Sequence, residues 1–316
     1  MTAASRSPSS ATRSKRVLLT GAGGFIGRHV VAPLLEQGFE VHVTTRNPLG
    51  APRVHEHRVD LLEESSVSQL LDSVRPSHLI HLAWYTQPPE YWQSPLNMKW
   101  ECLSVHLFES FVQSGGSRIV GAGTCAEYEW GSAMLNERTT PERPATPYGK
   151  AKLSLGRRMA VIAREAGLSF SWARFFFLFG PHERTERFVS SIIDPLLKEQ
   201  VAFCRNGDLV RDLLYVEDAA EAVVALVLSD VEGPVNVASG IAAKLGTVAQ
   251  EIGKAMHLPG LVTVLAEDSV TTQPKTLVAD VSRLSREVGW APRYDRREAI
   301  ERTIAWRAAQ GRLNEV

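Results

Sequence analysis

Hydrophobic residues first organise at position 16. RVLLT (16–20) is an apolar run of strand length, and FIGRHVVAPLLEQ (25–37) places Phe25, Ile26, Val30, Leu34 and Leu35 near helical spacing. Gly38 stands where a left-handed C-cap is expected. EVHVTTR (40–46) alternates as a strand does. HLIHLAW (78–84), RIVGAG (118–123) and SFSWARFFFLF (169–179) are predicted as later buried strands, each preceded by helix-compatible sequence. Strand and helix in alternation predict right-handed crossovers and an α/β fold, a Rossmann-type doubly wound parallel sheet covered on both faces.

After Gly180-Pro181 the rhythm loosens. A helix is predicted over 187–198 and a hairpin around Asn206-Gly207. RDLLYVEDAAEAVVALVL (211–228), PVNVAS (234–239) and shorter mixed elements follow. This pattern predicts a first domain over 15–180 and a smaller C-terminal α/β lobe over 181–316, with part of 211–240 returning to the first domain. The opening MTAASRSPSSATRS (1–14) has no acid and no hydrophobic face, so a disordered tail is expected there. Lacking an apolar core segment, it is no secretory signal; a transit peptide stays open, although the stretch is short.

Composition narrows the partners. The 316 residues hold 35 basic and 35 acidic side chains, so no global cationic field favours nucleic acid. Cys102, Cys125 and Cys204 are far apart and in no CxxC spacing, which indicates neither a disulfide framework nor a zinc site, and no metal is expected. No apolar run reaches the roughly 18 residues of a membrane span. A soluble, cytoplasmic protein without a membrane partner is expected.

Two constellations carry chemistry. TGAGGFIG (20–27) spaces Gly21, Gly24 and Gly27 between a strand and a helix, where glycines permit a tight turn and close approach of a dinucleotide pyrophosphate to the helix N-terminus. At the end of the next strand an acid would bind the ribose of NAD. This chain has Thr44, Thr45 and Arg46 there, with no acid until Glu56, so NADP is expected over NAD, with Arg46 open to a surface role as well. In PYGKAK (147–152), Tyr148 and Lys152 are four apart and share a helix face. A nearby cation favours the phenolate of a tyrosine whose free pKa is about 10, which tunes it for proton transfer to or from a carbonyl oxygen. Thr124 follows a strand at the sheet edge where ligands bind; a hydroxyl there serves a substrate or only its own turn.

Together these residues resemble the extended short-chain dehydrogenase/reductase family, most closely its nucleotide-sugar epimerase, dehydratase and ketoreductase branch. TGAGGFIG is similar to the family's cofactor loop, Asp60-Leu61 to its adenine-contacting position, and HLAW (81–84), with Leu82 and Ala83, to its HLAA strand. Asn97 begins the helix of the family's NxxGT. Thr124 and Tyr128 match the SSxxVYG pattern, and Tyr148 and Lys152 match YxxxK. RFFFLFGP (174–181), RDLLYVEDAAEA (211–222) and GPVNVASG (233–240) match in order.

The resemblance implies that 15–180 binds NAD(P), with Phe25 and Ile26 among the cofactor contacts, and that the C-terminal lobe holds an activated sugar. It implies Tyr148 as acid/base, Lys152 as the cation that lowers its pKa and holds the nicotinamide ribose, and Thr124 as a hydrogen-bond partner of the reacting oxygen. Arg211 corresponds to an arginine that approaches the nucleotide phosphates; an ion pair with Asp212 or Glu217 is equally open to it. Arg184 and Arg187, with His182, form a basic set suited to a diphosphate or to a solvated loop. Trp84 and its aromatic neighbours suit stacking on a sugar or a place in the core.

Departures from the family pattern shape the expected activity. Phe177 stands where many epimerases have the Asn of RxFN, and Trp84 and Trp100 replace small residues. These bulky replacements move the sugar-nucleotide pose, and the missing acid after the second strand favours NADPH-dependent reduction of a keto group on a nucleotide-diphosphate sugar. An NAD(P)-dependent epimerase or dehydratase is the alternative, with Glu127 near Thr124 keeping dehydration open, and a non-catalytic NADP-binding regulator is an alternative of another class. A homodimer is expected by analogy, through the helix carrying Met98, Leu103, Leu107 and Phe108 and the one carrying Tyr148.

Overall fold

The apolar run at 16–20 becomes the strand from which the molecule is built. The structure, a computed structural model, describes residues 15–131, 134–265 and 274–313, so the tail expected over 1–14 lies outside the described residues. The chain runs β1 (Arg16–Thr20), α1 (Gly27–Glu36), β2 (Glu40–Thr44), β3 (Val54–His57), α2 (Glu64–Val74), β4 (His78–His81), α3 (Leu96–Gln113), β5 (Arg118–Thr124), α4 (Pro147–Ala166) and β6 (Ser169–Phe175). It continues through β7 (Phe177–Phe179), α5 (Phe188–Leu196), β8 (Ala202–Cys204), β9 (Val210–Tyr215), α6 (Val216–Leu228), β10 (Gly233–Val237) and β11 (Ala242–Lys244). Last come α7 (Leu245–Ala255), β12 (Val262–Val264), β13 (Thr276–Leu277) and α8 (Arg296–Leu313).

Seven strands form one parallel sheet in the order β10-β6-β5-β4-β1-β2-β3. Alternate side chains leave opposite faces. Val17, Leu19, Val41 and Val43 pack with Val30 and Leu34 of α1 and Val223 of α6. Leu18, Leu79 and Ile119 pack with Leu71 of α2, Phe108 of α3 and Leu155 of α4. Each fully buried aliphatic contributes about 1.5–3 kcal/mol before the entropy of ordering it. Both α6 and β10 lie beyond residue 180 in sequence, yet both belong to this layered core. The Arg118 guanidinium ties them down by donating to the Leu226 and Val231 carbonyls.

The remaining strands are short. β9 pairs with β7, β11 and β13, and β8 with β12. They enclose a second core of Phe179, Ile192, Ile193, Val248, Ile252 and Ile300. No helix among the described residues is long and apolar enough to cross a membrane.

Three local expectations change. The hairpin at Asn206-Gly207 does not form, because β8 takes β12 as its neighbour and β9 takes β11 and β13. The run 169–179 is two strands: at Phe176, whose amide bonds the Val237 carbonyl, the chain leaves the large sheet for the small one. An unbroken apolar run cannot show that its halves serve different sheets. β3 is an addition, since its sequence VHEH has no apolar alternation to predict it.

Candidate active site

The carboxyl end of β5 and the start of α4 are pressed together. Thr146 caps α4 by accepting a hydrogen bond from the Gly149 amide at 3.1 Å, Pro147 fills the first turn, and Gly167 closes the helix in the left-handed region. Gly149 is required there: a Cβ would come within 2.3 Å of the Ala126 carbonyl oxygen. This contact sets Tyr148 against the turn that follows Thr124.

That turn is a capping box. Thr124 Oγ1 accepts from the Ala126 amide at 3.2 Å, and Glu127 Oε1 accepts from the Thr124 amide at 2.8 Å. The Thr124 side chain also lies beside the Tyr148 phenol. Burial pushes that phenol well above its ordinary value, and the neighbouring Thr124 hydroxyl works against the rise. Tyr91 and Trp92 stand edge-on to the Tyr148 ring, with centroids 5.0 and 5.6 Å away. Cys125 is no nucleophile, its buried thiol being pushed up to about 12.

Lys152 lies one helical turn beyond Tyr148 and is buried. Its Nζ donates to the Ala122 carbonyl at 2.8 Å and sits 3.8 Å from the Trp84 ring centroid. Burial pulls its pKa down to about 7, with the charge of Glu127 opposing. Trp84 is itself fixed: its indole N–H donates to Asn97 Oδ1 at 2.9 Å, and Asn97 Nδ2 donates to the Tyr91 and Ser94 carbonyls. Trp84 and Trp100, which depart from the family pattern, lie with ring centroids 6.1 Å apart and form an aromatic wall on the Lys152 side of the site.

Glu127, which kept a dehydration role open, is committed elsewhere. It is fully buried and accepts from Trp172 Nε1 at 3.0 Å and Arg174 Nε at 2.7 Å. Its work is to hold the Thr124 turn.

The glycine loop opens at the same sheet edge. The Gly24 amide bonds the Gly21 carbonyl at 2.9 Å, and a Cβ on Gly27 would fall 2.2 Å from that same oxygen, so the turn excludes larger residues. Gly23 and Gly24 are exposed, and no side chain caps the N-terminus of α1 at Ile26, an arrangement that fits a pyrophosphate. Thr20 and Ser104 hold His81 between them, and the Leu82 amide bonds the Thr20 carbonyl, which binds the HLAW strand end to this loop. Arg28 joins the site unannounced by the sequence: its guanidinium donates to the Gly23 and Gly24 carbonyls and meets His182. No motif marks it, because its position depends on a chain segment over 150 residues away.

Other predicted residues divide. Arg46 is exposed just past β2, and Glu56, the nearest following acid, is engaged by the Leu49 and Gly50 amides at 2.9 Å each. Asp60 accepts from the Leu62 amide, and Leu61 packs under the sheet with α2 and α3. Arg184 donates to Gln87, and the Arg187 guanidinium lies 6.0 Å from the Tyr91 ring. Arg211 is buried, donates to the Val210, Pro274 and Lys275 carbonyls, and faces the Phe177 ring at 5.3 Å. Asp212 accepts from the Ser239 and Gly240 amides and from the Ser239 hydroxyl.

Comparison with known proteins gives this geometry a family. Residues 17–238 match the model of the NAD dependent epimerase/dehydratase family. The chain belongs to that family. It is an enzyme of the extended short-chain dehydrogenase/reductase type, and the regulator alternative falls away. It is 26% identical over 306 residues to UDP-glucuronic acid decarboxylase 1 of Xenopus tropicalis, covering 92% of this chain and 71% of that one. It is likewise 26% identical to the UDP-glucose 4-epimerase of Lacticaseibacillus casei, over 92% of this chain and 95% of the relative. The solved UDP-glucose 4-epimerase of Thermus thermophilus, in complex with NAD, superposes with a TM-score of 0.81 at 27% identity, covering 92% of this chain and 98% of that one. MoeE5 in complex with UDP-glucose and NAD superposes with a TM-score of 0.82 at 28% identity, covering 93% and 99% of the two chains.

Proposed function

We propose that this enzyme interconverts nucleotide-diphosphate sugars by reversible oxidation at a sugar hydroxyl, as a nucleotide-sugar 4-epimerase does. The observation that carries the proposal is the convergence of Thr124, Tyr148 and Lys152 on the sheet edge that also bears the glycine loop. The UDP-sugar enzymes among the relatives support it. Gly21, Gly24, Phe25, Ile26 and Gly27 would cradle the dinucleotide pyrophosphate, Asp60 and Leu61 its adenine end, and Leu82 and Ala83 the path to its nicotinamide. A bound nicotinamide supplies the hydride acceptor and donor.

The chain's own residues handle the proton. Tyr148 takes the hydroxyl proton as the carbonyl forms and returns it on reduction, while Thr124 holds the reacting oxygen. Lys152 would hold the nicotinamide ribose in place of the Ala122 carbonyl, and its positive charge would favour the phenolate. Trp84 would border the sugar, and Arg184 and Arg187 would meet its diphosphate. Arg211, turned into backbone carbonyls and stacked on Phe177, supports the pocket wall.

A second activity, NADPH-dependent reduction of a 4-keto nucleotide sugar, is favoured by one specific observation. The end of β2 offers Thr44, Thr45 and Arg46, and Glu56 is tied to loop amides, so no carboxylate there repels a 2′-phosphate. One experiment separates the two. The purified enzyme is given UDP-glucose or UDP-galactose with NAD, or a 4-keto nucleotide sugar with NADPH. Interconversion without net nicotinamide change supports epimerisation, stoichiometric NADPH oxidation supports the reductase, and inactivity with all of them sinks both.

A homodimer through α3 and α4 belongs to the same proposal. Leu107 and Phe108 cover the sheet, whereas Met98 is 72% exposed, which leaves the start of α3 for a partner copy. Light scattering on the purified chain tests it, and a monomer overturns it.

A further inference from the structure

The edge of the large sheet formed by β2 and β3 carries a cluster of ligand-type side chains that the sequence does not announce. In the parallel register His42 stands opposite His55, and Thr44 opposite His57. Residues two apart on a strand share a face, so Glu40, His42, His55 and His57 line one face of this edge. One ligand atom from each of Glu40, His42 and His55 lies within 4.8 Å of the others. His42 Nε2 is 3.0 Å from Glu40 Oε1. Two donors each about 2.1 Å from a tetrahedral cation stand about 3.4 Å apart, so this pair opens by a few tenths of an ångström to admit one.

The surroundings suit a metal. Arg16 Nε holds the other carboxylate oxygen, Oε2, at 3.0 Å, leaving Oε1 facing His42. The second nitrogen of His42, Nδ1, lies 2.9 Å from His57 Nε2, the outer hydrogen bond that fixes the tautomer of a ligating imidazole. His55 stacks on His42 with centroids 4.5 Å apart and is exposed, so a change of its side-chain rotamer towards the pair meets no buried neighbour beyond His42 itself.

We propose that Glu40, His42 and His55 form a divalent transition-metal site of the zinc type, with His57 accepting the His42 Nδ1–H. Metal binding takes His42 as its neutral Nδ1–H tautomer: the proton that Nε2 shares with Glu40 in the metal-free chain is exchanged through solvent for one on Nδ1, and water completes the coordination. No metal was expected from the cysteines, and the ExH and HxH spacings gain meaning only once β3 is known to pair with β2. The site staples the edge strand β3 to β2 and is independent of the proposed reaction.

The test is calorimetric titration of the full-length chain with Zn2+, paired with thermal melts. One equivalent should bind, and the melting temperature should rise with Zn2+ concentration. His55→Ala, at an exposed position, keeps the fold and should weaken binding by about 10–100-fold, as should His57→Ala; His57→Gln, which retains an acceptor, should restore it. Zn2+ binding unchanged in His55→Ala overturns the site. So does binding that vanishes in Cys102→Ser, since Cys102 is an exposed thiol distant in sequence from this edge. Absence of binding to the wild type overturns it outright.

Discussion

Lys152 and Arg174 are both buried cations beside β5, and the fold treats them in opposite ways. Arg174 is ion-paired with Glu127 and Glu142 and stacks over Tyr128 at 4.6 Å, and its pKa is raised. Lys152 has a carbonyl and an indole face, and its pKa falls to about 7. A cation matched by carboxylates is locked in place. One held by a carbonyl and a π-face is free to change partner or lose its proton at small cost, which is what a site residue needs.

Substitutions on the two sides should separate activity from stability. The largest effect belongs to Tyr148→Phe, which should lower turnover by about 10²–10⁴-fold while leaving the melting temperature near that of wild type. Retained activity would remove Tyr148 from the proton path. Next is Glu127→Ala, which leaves Arg174 buried with half its compensation and should cost about 3–5 kcal/mol in denaturant unfolding. Lys152→Met should do the reverse, lowering activity by less than Tyr148→Phe does, with stability unchanged or higher. A destabilised Lys152→Met protein would mean that Lys152 is as structural as Arg174.

The pH dependence follows from the same contrast. The folded chain releases the Lys152 proton near pH 7, whereas the unfolded chain holds it to about 10.4. Between these values the unfolded state binds more protons, so stability rises with pH across that window and is flat with respect to this group below it. The rise should disappear in Lys152→Met, and its persistence there would assign it to another group. The smallest effect is expected from Trp84→Phe, which keeps a ring over Lys152 but loses the bond to Asn97, at about 0.5–1.5 kcal/mol.

Much of the sheet was legible because its strands are buried on both faces and read as apolar runs. The 16–20 strand is observed with the predicted bounds, and the 118–123 strand gains only Thr124. The glycine loop and Tyr148-Lys152 were legible because turn geometry and helical spacing are local. What escaped depends on contacts between distant segments. Glu127 looks like a free acid until Trp172 and Arg174 arrive from β6. That Arg211 donates to the carbonyls at 274 and 275 is invisible until the chain folds back over it. β3 has no apolar pattern, because an edge strand buries little of either face.

The placement of β10 beside β6 has a consequence for biosynthesis. When a ribosome has released the chain through Phe175, β6 is an open edge with unpaired amides and carbonyls, and its neighbour Gly233–Val237 has not been made. At about 5–20 residues per second that interval lasts several seconds. Throughout it, the nascent sheet offers a template to any passing strand. The span before Pro181 looks self-sufficient by its cofactor motifs, yet it emerges aggregation-prone and is made safe only by a segment translated much later.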